Sequence, residues 1–136
     1  MAGIKAAQTA PTWPSINGKM IPDHMGSEAS LFQDAIYNPI TIHFIHRGIA
    51  YLLFVMSVIF FFSTSKITLP GVFKKFRNGY MILVLLQVTL GILSLLYATK
   101  KNSFIWLAAT HQFVAMLLVM CMVTLIYLTL RNRAKE

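Results

Sequence analysis

The stretch ITIHFIHRGIAYLLFVMSVIFFFS, residues 40–63, decides the fold. It is apolar almost throughout, and apart from its histidines Arg47 is its one charged side chain. At about 1.5 Å of rise per residue, a helix of this length covers the roughly 30 Å of hydrocarbon in a bilayer. Two more runs follow, GYMILVLLQVTLGILSLLYA at residues 79–98 and FIWLAATHQFVAMLLVMCMVTLIYLTL at residues 104–130. Lipid offers no partner to an open backbone group, so all three are predicted as continuous helices. Composition agrees: 57% of the 136 residues are hydrophobic and only 12% charged, with a mean hydropathy of +0.65. Soluble domains carry about a quarter charged residues, and a soluble fold this small has no interior for so much apolar surface. The expected fold class is all-α and integral to a membrane. A three-helix membrane domain, residues 40–136, follows a polar segment, residues 1–39. That segment is broken by Pro11, Pro14, Pro22 and Pro39, and Asn17-Gly18 marks a turn in it.

The net charge of +8 raises nucleic acid as a partner. The cations flank the apolar runs instead, which fits topology and a lipid bilayer, so nucleic acid is set aside. Lys66, Lys74, Lys75, Arg77, Arg131, Arg133 and Lys135 fall on one side of a three-span protein; Lys5, Lys19, Lys100 and Lys101 fall on the other, diluted by Asp23, Glu28 and Asp34. The positive-inside rule then sets residues 1–39 outside and the C-terminus in the cytoplasm or matrix. Residues 1–8 lack the apolar core of a signal peptide, so the first apolar run is expected to direct its own insertion. The single cysteine, Cys121, reads as a small buried hydrophobe.

His46 and His111 each lie a few residues inside a span that begins on the outer side, which sets both about 10 Å below one surface. Two imidazoles at matched depth on separate helices can grip one iron from opposite faces. Ala50, Ala108 and Ala115 share their helical faces and leave the clearance a flat macrocycle needs. The competing reading is a pair of buried polar residues bonding across helices. Zinc or copper fits less well, because neither span offers Cys, Asp or Glu beside these histidines to complete a shell. Arg47, about 100° round the helix from His46, either snorkels to headgroups or pairs with a propionate. His43, one turn above His46 on the same face, reads as an interfacial histidine. Gln87, Gly91, Ser94 and Ala98 form one small, weakly polar face that should pack on the other helices, with Gln87 a possible hydrogen-bond donor. Phe60, Phe61 and Phe62 read as packing bulk or lipid-facing side chains.

Four segments together resemble the haem A synthase family: TIHFIHRGIAY at residues 41–51, QVTLGIL at 87–93, LAATHQ at 107–112 and the upstream PTWPSINGKMIP at 11–22. The likeness is to the C-terminal half of that family, residues 1–7 resembling the end of that half's first helix. It implies a share in a four-helix haem-binding bundle, and an enzyme that oxidises a methyl group of haem O to the formyl group of haem A for terminal oxidases. By that likeness His46 and His111 are the axial iron ligands of a haem b, with Arg47 and Gln112 beside the cofactor. His43 stands at the offset where the family's other half carries a glutamate. Expected partners are haem O, a second copy or complementary N-terminal half, and a haem O synthase; the expected location is a bacterial inner membrane, with the mitochondrial inner membrane second. A non-catalytic haem b subunit for electron transfer or haem handling is the alternative, and a structural subunit without cofactor the third reading.

Overall fold

The computed structural model describes all residues except 1–5, 24, 27–29, 67–69 and 134–136. Lys5, Glu28 and Lys135 of the charge balance, and most of the segment 1–7, therefore lie outside the described residues. The described chain is α-helical: α1 Ala6–Thr9, α2 Leu31–Tyr37, α3 Pro39–Ser65, α4 Gly71–Leu96 and α5 Lys101–Arg133. The last three are long and apolar enough to cross a membrane.

Local chemistry sets each boundary. Ser30 caps α2, its hydroxyl accepting from the Gln33 N–H at 3.2 Å. Asn38 caps α3 by accepting from the N–H groups of Ile40 and Thr41, and Pro39 follows at the first helical position, where no N–H is needed. Helix α4 begins at Gly71, eight residues before the apolar run at residue 79. The added two turns alternate inward Phe73 and Arg77 with exposed Lys74, Lys75 and Phe76, a pattern that hydropathy alone passes over. Residues 97–100 make a tight connection, so α4 and α5 are antiparallel neighbours.

Helices α4 and α5 pack along most of their length. Phe73, Tyr80, Val84, Cys121 and Leu125 form the buried cluster, with Leu118 and Leu128 against it. These positions recur at the seven-residue period of left-handed helix packing. Cys121 is buried as expected, its thiol donating to the Phe76 carbonyl at 3.5 Å. Helix α3 joins this pair chiefly at the end rich in lysine and arginine. There the Ser57 and Tyr80 hydroxyls hydrogen-bond at 2.8 Å, Phe60 meets Tyr80 edge-to-face, and Arg77 lies 5.0 Å above the Phe61 ring. Phe62 is exposed, so the three phenylalanines divide between packing and lipid-facing positions.

The polar segment folds back on α3. Asn17 and Gly18, at φ 52° and 89°, make a two-residue turn closed by Ile16 and Lys19, which exchange backbone hydrogen bonds at 2.8 and 3.1 Å. Asp34, 2% exposed, accepts from Gly26 N–H, Asn38 Nδ2 and the Thr41 hydroxyl, tying the loop, α2 and the start of α3 together.

Candidate functional site

Register comes first. The Ser57–Tyr80 bond fixes α3 against antiparallel α4. Eleven residues from it, toward the same end of the molecule, lie His46 on α3 and Gly91 on α4, each about 16 Å away. His111 of α5 sits at that level, because its ring rests on Gly91: a Cβ there would lie 3.0 Å from His111 Cε1. His46 is exposed on the three-helix surface, and His111 is half-buried.

The His111 ring is held at both nitrogens by one residue. Nδ1 lies 3.1 Å from the Gln87 carbonyl oxygen and Nε2 lies 3.2 Å from the Gln87 side-chain nitrogen. The carbonyl can only accept, so Nδ1 carries the proton and Nε2 presents a lone pair. Proteins orient metal-ligating histidines in this way, one nitrogen donating to a main-chain oxygen; here the other accepts from the Gln87 amide. Gly91 makes the contact possible. The Gln87 carbonyl points along the helix toward Gly91, and with no Cβ in the way it is open to a donor from α5. The expected small face on α4 thus packs on His111 itself. Gln112, next in sequence, is exposed and turned about 100° away.

Arg47 and His43 form a second constellation, facing the polar segment. Arg47 Nε donates to His43 Nε2 at 3.1 Å, Nη1 to the carbonyls of Pro14 and Ser15 at 3.0 and 3.1 Å, and Nη2 to the Thr12 carbonyl. Four of its five N–H groups are engaged, and the side chain is 8% exposed. Arg47 grips the loop rather than snorkelling to headgroups. His43, expected at the interface beside His46, is 2% exposed and turned the other way, drawn by the guanidinium one turn on. Its Nε2 accepts, so Nδ1 carries the proton, and among the described residues that N–H has no partner.

Among the described residues no three His, Cys, Asp or Glu side chains converge as a metal shell. An iron porphyrin brings four nitrogens of its own and asks the protein for one or two axial ligands and an apolar, uncrowded surround. The residues present fit that demand. His111 Nε2 is the unprotonated nitrogen of an oriented ring, His46 stands level with it, and Gly91, Ala108 and Ala115 keep the surround small. The buried Oε1 of Gln87, without a partner among the described residues, marks the spot as polar chemistry left open inside an apolar bundle.

Fold and site together define an all-α, multi-span membrane protein with one histidine from each of two spans at a common level. Its affiliation is narrower: residues 1–123 match the cytochrome oxidase assembly protein family that includes the haem A synthases, and the chain belongs to that family. It is 32% identical to a haem A synthase of Bartonella tribocorum over 121 residues, covering 89% of this chain and 32% of that protein. A haem A synthase of Brucella anthropi is 32% identical over 120 residues, with 88% and 32% covered. A third, from Bartonella quintana, is 34% identical over 122 residues, with 89% and 32% covered. The chain thus spans about a third of the length of these curated relatives. No solved structure matches it significantly.

Proposed function

We propose that this chain is the part of a haem A synthase-type oxidoreductase that holds a haem b between His46 and His111, in the oxidation of haem O to haem A for terminal oxidase assembly. The observation that carries the reading is the state of His111: its proton is committed to the Gln87 carbonyl, which leaves Nε2, at the level of His46, as the nitrogen with the lone pair, here accepting from the Gln87 amide. When bound, the iron porphyrin supplies reversible one-electron chemistry. The chain's residues supply the rest. His46 on α3 and His111 on α5 would hold the porphyrin iron between them, which suits electron handling. The Gln87 carbonyl keeps His111 in the binding tautomer, and Gly91 gives its ring room. Arg47 secures residues 12–15 over the histidine end of α3 and has one N–H left for a propionate; Gln112 is exposed beside His111 in sequence.

If both histidines hold the one porphyrin, the methyl oxidation would belong to another site, in a second copy of this chain or a complementary N-terminal half, with a haem O synthase delivering the substrate. The location consistent with charge and relatives is a bacterial inner membrane, residues 1–39 outside and the C-terminus in the cytoplasm. A non-catalytic haem b subunit for electron transfer or haem handling is the second reading, because two histidines holding one iron suit electron transfer. The test is to supply haem O to membranes containing this chain with its complementary half and to quantify haem A. Product should form, and should be lost when His46 and His111 are both alanine. Normal yield from that double variant would remove both residues from the reaction.

A further inference from the structure

Gln87 does more to His111 than fix its tautomer. The main-chain oxygen takes the Nδ1 proton at 3.1 Å, while the side-chain amide nitrogen, 3.2 Å from Nε2, donates to the lone pair an iron would need. Turning the amide over gives no relief, because its oxygen would then face that lone pair, acceptor against acceptor. The ring cannot back away either: Gly91 lies directly beneath it, with Cε1 3.0 Å from where a Cβ would stand. The far end of the amide, Oε1, is buried and has no partner among the described residues. One residue therefore orients the ligand and covers it.

We propose that Gln87 is a gate on His111, its amide occupying Nε2 and giving way when an iron porphyrin binds. The proposal rests on the reading of His111 as an iron ligand. Closed and open forms are in competition, so the apparent affinity is the intrinsic affinity reduced by the fraction of open form. The closed form is held by one ordinary hydrogen bond, and removing it should raise association rate and affinity about five-fold. A residue that only supports the site acts with the opposite sign, since its loss weakens binding.

The experiment is stopped-flow binding of haemin to the purified full chain in nanodiscs, followed optically and by electron paramagnetic resonance. Wild type is compared with Gln87→Leu, Gln87→Met and His111→Ala. Both Gln87 variants should bind about five-fold faster and tighter, with the low-spin, two-imidazole spectrum of wild type. If Gln87→Leu does not fold, Gln87→Met decides, being of similar length and unable to donate. Unchanged or slower binding with an intact low-spin spectrum overturns the gate and leaves the ligand assignment standing. A wild-type spectrum indifferent to His111→Ala overturns the ligand assignment, and the gate with it.

Discussion

Arg47 is the side chain on which the histidine end of α3 turns. A guanidinium inside a bundle is costly unless its donors are matched, and here three go to main-chain carbonyls and one to His43. Charge-assisted bonds of this kind contribute about 1.5–3 kcal/mol each. Lysine has the charge without the planar fork, so Arg47→Lys should release residues 12–17 while leaving the helices intact. Amide hydrogen exchange should show Asn17 and Lys19 losing protection by a factor of about 30, the equivalent of about 2 kcal/mol; unchanged protection would mean the loop is held by something else. The sequence announced Arg47 as unusual, being an ion inside a span, and could not say what it holds. Main-chain carbonyls have no residue identity, so nothing in the sequence pairs Arg47 with positions 12, 14 and 15. Gln87 and Gly91 were more legible. Their four-residue spacing put them on one face, but the dual contact with His111 depends on a ring stacking over a missing Cβ, which no spacing reveals.

At the scale of elements, α4 and α5 are a hairpin sealed along most of its length, and α3 is attached to it at few points. The Ser57–Tyr80 bond is the polar one among them, and in lipid such bonds are worth about 0.6 kcal/mol on average and up to about 1.7 kcal/mol. A double-mutant cycle of Ser57→Ala and Tyr80→Phe, measured by unfolding in mixed micelles, should give a coupling energy in that range. A coupling of zero would show that Phe60 and Phe61 alone hold α3 in place. The number of long helices, and the runs that form them, could be read directly because bilayer thickness imposes a length that composition displays. The eight-residue extension of α4 could not. Its Lys74, Lys75 and Arg77 read as loop charge, and only packing of Phe73 and Arg77 inward shows them to be helix.

Across the whole molecule, two ends with different jobs emerge. One end is basic and closed, with the Phe60–Tyr80 and Arg77–Phe61 contacts. The other gathers His46, Gln87 and His111, with His43 and Arg47 beside them on α3 against the folded polar segment. The level of the two histidines, expected from counting residues into each span, also follows from the helix register, because straight antiparallel helices keep count. The folded segment over them was legible only as an Asn-Gly turn; its attachment through Asp34 and Arg47 is long-range and left no periodic trace. His46 is exposed on the three-helix surface, so its ring is open to another group. The central claim is that one iron porphyrin joins α3 to α5 through these two rings. Electron paramagnetic resonance of the purified chain reconstituted with haemin tests it most directly. The expected result is one low-spin haem per chain, converted to the high-spin form by His46→Ala alone and by His111→Ala alone; a low-spin signal that survives either substitution would contradict the account.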